Sequence, residues 1–164
     1  MAKEFKILTE RYSYTARTTL GRMSFVYDMY VSDPPTPHKE FFGNTLEDTL
    51  RAPNIKVTKE TGLPGGLRCK VRIYDSPTKG KVPLFYTEDD GITIKSGLLS
   101  WTYCEAHGGN DHKDTDACVL VAKNILSADS IQGSLKDKLV EVIEKKISEG
   151  YEIVAEFINL PQLS

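Results

Sequence analysis

No stretch of the 164-residue chain approaches the roughly 20 consecutive apolar residues that a membrane-spanning helix needs, and the opening Met1-Ala2-Lys3-Glu4 lacks the apolar core of a secretory signal. Both absences lead to the expectation of a protein made and kept in a cytoplasm, with no membrane partner. Charge of one sign is lacking too: 21 Lys and Arg stand against 23 Asp and Glu, a net charge of -2, with both signs mixed along the chain. Such a surface offers no continuous field for a phosphate backbone, so nucleic acid is not an expected partner. Cysteine is scarce. Cys69, Cys104 and Cys118 cannot all pair within one chain and are too few for a disulfide scaffold, so reduced thiols are expected. A Cys104 to Cys118 bridge is the alternative that an oxidising setting would allow. The chain also has no internal repeat and no low-complexity tract.

Apolar residues make up 40% and charged residues 27% of a chain long enough to bury a hydrophobic core, so one globular domain over residues 1–164 is expected. The first two thirds read as strands and turns. Residues 5–8, 19–31, 67–74 and 91–94 are rich in β-branched and aromatic side chains. Residues 33–37, 62–66 and 76–80 combine prolines that preset φ with glycines or polar residues suited to turns, and they read as loops.

The last third holds a clear helix pattern. Leu135, Leu139, Val142, Ile143 and Ile147 recur at steps of three and four, with Lys136, Asp137, Lys138, Glu141, Glu144 and Lys145 away from the stripe. Ser134 is the expected N-cap and Gly150 the expected stop. Residues 151–158 then alternate in part, as a closing strand would. The expected fold class is α+β: a mainly antiparallel β-sheet or partial barrel, with one C-terminal amphipathic helix packed on it and a closing strand.

Residues 101–124, WTYCEAHGGNDHKDTDACVLVAKN, concentrate the groups that can do chemistry. The flanks look like strands and the middle like a loop. A cysteine nucleophile needs a nearby base or cation, because its thiol pKa of about 8.5 leaves little thiolate at neutral pH. The ten residues between them allow His107 to reach Cys118 if the flanking strands pair. The expected catalytic set is therefore Cys118 as nucleophile, His107 as base, and Asn110 or Asp114 as orienter of the imidazole. Backbone N–H groups beside Cys118 are the expected oxyanion hole. Gly108, Gly109, Thr115 and Asp116 are the expected substrate-binding residues.

The same residues admit quieter readings. Cys118 opens an apolar strand and fits a small core side chain, and His107 fits a bond to a loop carbonyl. Cys104, His107, His112 and Cys118 are a donor set suited to tetrahedral zinc, although their spacing matches no finger or ribbon. Asp111, Asp114 and Asp116 lack the glycine and terminal glutamate of an EF-hand loop. The leading expectation includes no metal and no cofactor. Elsewhere, Glu47 and Asp48 with Arg51 read as a structural ion pair before a binding site, and residues 62–66 lack the lysine of a phosphate-binding loop.

His107-Gly108-Gly109-Asn110 and Asp114-Thr115-Asp116-Ala117-Cys118-Val119-Leu120-Val121 resemble the His-x-Gly-Asn and Asp-Thr-x-Gly-Cys-Ile-Leu-Val signature of a small phage and bacterial family, domain of unknown function 5675. Thr19-Leu20-Gly21-Arg22-Met23, Thr45-Leu46-Glu47-Asp48 with Arg51, and Lys56-Val57 through Gly66 are similar to its earlier motifs, in the same order. The sequence departs from that pattern at Ala117, where the family has glycine. A side chain there would crowd a backbone-lined oxyanion pocket. A more distant similarity is to L,D-transpeptidases, with His107 matching the upstream histidine and Cys118 the nucleophile, while Asp116-Ala117 replaces His-Gly. These resemblances imply a phage-associated domain in a host-cell cytoplasm or a virion. Its partners would be peptidoglycan peptides or, in a non-catalytic protein, other virion subunits.

Overall fold

The computed structural model describes residues 3–52, 54–57, 60–115 and 117–162. Eleven strands and one α-helix follow in the order β1 (Lys3–Tyr14), β2 (Thr18–Met29), β3 (Thr36–Asp48), β4 (Arg68–Ser76), β5 (Gly80–Tyr86), β6 (Thr93–Ser96), β7 (Leu99–Thr102), β8 (Cys104–His107), β9 (Val119–Ser127), β10 (Ser130–Ser134), α1 (Lys136–Ser148) and β11 (Tyr151–Asn159). The main sheet runs β10-β9-β3-β2-β1-β11-β4-β5-β8, and β8 also pairs with β9. That pairing closes eight strands into a barrel, with β10 attached outside the ring on β9, so the expected partial barrel is complete. Closure leaves no open edge within the ring. β6 and β7 form a separate hairpin.

Most neighbours are antiparallel, as expected, but β1 with β11 and β8 with β9 are parallel. The strand β3, which residues 36–40 (TPHKE) hide behind a polar and proline-containing start, was not among the expected strands. It pairs with β2 along nearly its whole length.

Alternation around the ring separates two cores. Phe5, Ile7, Met23, Phe25, Val119, Val121 and Phe157 face inward with Leu135, Leu139 and Ile143 of the helix segment, forming one large cluster. Leu20, Leu46 and Leu120, which are cross-strand partners on β2, β3 and β9, form a smaller cluster with Ala122 and Ile131 on the opposite face. Each such side chain contributes about 1.5–3 kcal/mol by leaving water.

The helix stripe is shifted from its expected position. Val140 is buried with Leu139 and Ile143, while Ile147 is half exposed. The N-cap is Leu135, which makes no side-chain cap bond. Ser134 ends β10 instead, and its hydroxyl accepts the Lys136 N–H at 3.3 Å. Gly150 does end the helix: its φ of 91° lies in the left-handed region, and its N–H donates to the Ile147 carbonyl.

Inside the barrel, Arg11 and Glu47 form a bidentate pair with Nε and Nη2 at 2.9 and 2.6 Å from the carboxylate oxygens, both side chains buried. Arg11 also donates to Asn159 Oδ1. The expected Glu47, Asp48 and Arg51 ion pair is therefore replaced: Glu47 serves Arg11, and Arg51 bonds Thr61 Oγ1 and the Glu60 carbonyl. Among the described residues, no helix is long and apolar enough to cross a membrane.

Candidate active site

β8 and β9 lie side by side in parallel, with Ala106 opposite Val119 and His107 opposite Leu120. One residue earlier, the Glu105 N–H donates to Cys118 Sγ at 3.4 Å. Because successive side chains of a strand point to opposite faces, Cys104, Ala106, Val119 and Val121 enter the barrel core, while Glu105, His107 and Cys118 share the outer face. The condition for bringing His107 towards Cys118, pairing of the flanking strands, is thus met. The same alternation separates Cys104 from Cys118, and all three cysteines are thiols.

Cys118 is 6% exposed. Its thiol donates to the Tyr103 carbonyl at 3.8 Å. Tyr103 and Ala117 flank it, with φ of 54° and 67°, both in the left-handed region. For residues with a Cβ this costs about 1–2 kcal/mol each. Ala117 thus occupies a backbone position that favours glycine. Its N–H donates to Asp48 Oδ2 at 2.8 Å, and the Cys118 N–H donates to the Thr115 carbonyl at 2.7 Å. The two amides nearest the thiol on its N-terminal side are therefore already engaged, which corrects the expectation that they form an oxyanion hole.

His107 Nδ1 lies 2.7 Å from the Gly108 carbonyl. A carbonyl only accepts, so Nδ1 carries the proton and Nε2 keeps its lone pair. Burial pushes the imidazole pKa below the ordinary 6.5; the Gly108 carbonyl bond, Glu105 and Asp114 oppose the shift, and Lys79 reinforces it. The ring is neutral at pH 7 and able to take a proton at Nε2. Its orienting partner is the Gly108 carbonyl, in place of the Asn110 or Asp114 side chain.

A cavity of about 550 Å³ opens beside these groups, lined by His107, Asp114, Thr115 and Cys118 from the expected set. Lys79, Glu105, Tyr74, Trp101 and Tyr103 line it as well. Glu105 is buried on the site face, and its carboxylate lies 3.4 Å from Lys79 Nζ. Sequence reasoning missed Glu105, although Cys104-Glu105-Ala106-His107 is a two-residue alternation that would place it beside His107. Lys79 comes from the distant turn between β4 and β5 and left no local signal, whereas Trp101 stands at the start of the segment 101–124 without having been assigned a role.

The loop between β8 and β9 turns most of its polar groups on itself. Asp111 caps the 3-10 turn His112–Asp114, accepting the Lys113 N–H at 2.9 Å, and Asp114 Oδ2 accepts the Asn110 N–H at 2.9 Å. Thr115 is buried, with its hydroxyl on the His112 carbonyl. Gly108 and Gly109 serve close approach: a Cβ would lie 2.6 Å from Ser134 Oγ at Gly108 and 2.7 Å from Asp114 Cβ at Gly109. Neither glycine lines the cavity, nor does the exposed Asn110. Asp116 lies outside the described residues. Among the described residues, no three His, Cys, Asp or Glu side chains converge on a metal position, so the Cys104, His107, His112 and Cys118 zinc set is not assembled.

No protein-family profile, curated protein or solved structure matches the chain.

Proposed function

We propose that the cavity beside β8 and β9 is a cysteine-centred acyl-transfer site, with Cys118 as nucleophile and His107 as base. The observation that carries this reading is that both side chains line one cavity, with the imidazole held by Gly108 so that its basic nitrogen is unprotonated. In this reaction Nε2 takes the thiol proton and the thiolate adds to a substrate carbonyl. The imidazolium then returns the proton to the departing amine, leaving a thioester that water or a second amine resolves. The Glu105 N–H stabilises the thiolate by donating to Sγ. Peptides of peptidoglycan are the substrate class in keeping with the resemblance to L,D-transpeptidases, in a phage-associated protein acting in the host cell or from the virion.

Alkylation of the native protein by iodoacetamide at pH 7 tests the reading. Cys118 is expected to react faster than a model thiol, and His107→Gln to remove that advantage. A Cys118 rate no greater than the model thiol's would overturn it.

A second reading has its own support in the self-bonded loop: a non-catalytic virion or assembly protein, in which Asn110, Asp111, Asp114 and Thr115 hold a rigid turn for contact with other subunits. Under it, Cys118→Ser leaves particle assembly intact, and the protein co-purifies with particles.

A further inference from the structure

A second cavity, of about 720 Å³, shares Trp101 and Thr61 with the cavity beside β8 and β9 but is lined by neither Cys118 nor His107. Its wall is largely apolar, from Leu50, Ile55, Pro64 and Ile158, with bare backbone at Gly65 and Gly97. Small ligands bind in cavities of this size whose apolar walls carry a few polar groups.

Trp101 stands in β7 opposite Ile94 and is 4% exposed. Its indole N–H is buried and finds no acceptor among the described residues. The polar side chains beside it supply none. Lys56 Nζ lies 5.3 Å from the ring centroid and is bonded to the Ser100 carbonyl, and an ammonium only donates. Thr61, the other residue common to both cavities, donates its hydroxyl to the Val57 carbonyl and accepts the Val57 N–H and Arg51 Nε–H, so both lone pairs are taken. A buried N–H left unpaired is a cost to the fold, and an acceptor entering the cavity removes it.

Asn159 adds a second, exposed donor to the same wall. Its Oδ1 accepts Arg11 Nη1 at 3.1 Å, which fixes the orientation of the carboxamide and leaves Nδ2 with no acceptor among the described residues. Nδ2 lies against Gly65, where a Cβ would overlap it, so the bare backbone gives the carboxamide its place. Charge narrows the ligand further. Among the described residues no Asp or Glu lines the cavity, and its one cation, Arg51, is engaged by Thr61, by the Glu60 carbonyl and, at 3.7 Å, by the Glu60 carboxylate. A charged ligand finds no unpaired counter-charge there.

We infer that this cavity binds a small uncharged amide, with an apolar side chain against Leu50, Ile55, Pro64 and Ile158 and a carbonyl oxygen accepting the Trp101 N–H. The apolar side chain covers Ile55, which is 52% exposed, and supplies most of the affinity, while the carbonyl bond sets the orientation. The inference is independent of the Cys118 reading, since no group of that mechanism lines the cavity.

Trp101 is the chain's one tryptophan, so its indole N–H gives a single resonance to follow. The test is a titration of the full-length protein with N-acetyl-leucinamide, and with N-acetyl-serinamide as the polar counterpart. A saturable downfield shift of the indole proton is expected with the leucine probe, accompanied by amide shifts at Gly62, Gly65, Gly66, Ser96 and Gly97. The expected dissociation constant is about 3 mM or tighter, and the serine probe should bind at least about tenfold more weakly. Trp101→Phe keeps an aromatic wall without the N–H and should weaken binding of the leucine probe by about threefold or more, read from the glycine amides. Non-saturable shifts, shifts centred on Lys79, Tyr103 and Glu105, equal binding of the two probes, or unchanged affinity in folded Trp101→Phe would overturn the assignment. If that variant does not fold, Ala52→Phe decides by placing a ring at the exposed rim of the cavity, with lost binding supporting the site and unchanged affinity rejecting it.

Discussion

On the inner face of β8 and β9, Cys104, Ala106, Val119 and Val121 sit in the large apolar core; one residue along, Glu105, His107 and Cys118 meet a lysine, a loop carbonyl and a cavity. Both faces are buried, but they do opposite things energetically. The inner face gains stability from every methyl group removed from water. The outer face buries a carboxylate and an imidazole, and two residues with left-handed backbone border its thiol, each of them a cost. Such costs persist where surrounding structure over-determines the backbone, and here the rigid inner face holds the outer one in place.

The comparison breaks most sharply under paired substitutions. Cys118→Ala is expected to abolish fast alkylation outright. Val121→Ala should lower stability in urea by about 2 kcal/mol while leaving the alkylation rate of the folded protein unchanged. If Val121→Ala slowed Cys118 as much as it destabilised the fold, the two faces would not be separable.

The loop should respond through stability. Gly109→Ala pushes a methyl group into Asp114 and is expected to cost about 1–3 kcal/mol, and Asp114→Ala about 1–2 kcal/mol through the lost amide bonds, both read from denaturant midpoints.

A pH titration sharpens the contrast further. The folded protein holds His107 below its ordinary pKa of 6.5, so between the two values the unfolded chain binds more protons than the folded one. Stability from this group is complete above about pH 6.5 and is lost as the pH falls through the lowered folded value. In His107→Gln that part of the stability slope should vanish, as followed by thermal melts between about pH 5 and 8.

The smallest effect is expected at Ala117. Replacing it by glycine removes the left-handed strain and should stabilise the fold by up to about 1 kcal/mol in urea, an advantage reduced by the greater freedom of glycine in the unfolded chain. No gain at all would mean that the entropy of glycine in the unfolded chain offsets the relief of strain in full.

Much of the fold was legible. The four-residue spacing of Leu139 and Ile143, the stop at Gly150 and the strands β1, β2, β4 and β11 follow from local patterns that tertiary contacts left in force. β3 was not legible, because its first residues, Thr36-Pro37-His38-Lys39-Glu40, look like loop until β2 pairs with them. In the candidate site, His107 and Cys118 line one cavity, as the spacing led one to expect, but Glu105 and Lys79 line it too without having been expected there, and Asn110 does not line it. A polar side chain can bond a neighbour's backbone or reach a ligand, and its residue type does not distinguish the two.

Sequence by itself determined where helix and turns fall and which loop carries histidine, aspartate and cysteine, because helix periodicity, glycine φ and capping bonds act over a few residues. Only the tertiary structure decided that β8 lies parallel to β9 and completes the ring, that Arg11 finds Glu47 across the interior, and that the Gly108 carbonyl sets the tautomer of His107. The physical reason is that a strand's backbone groups are satisfied by a partner distant in the chain. Where both faces of a strand are buried, apolar alternation no longer indicates which side faces the core.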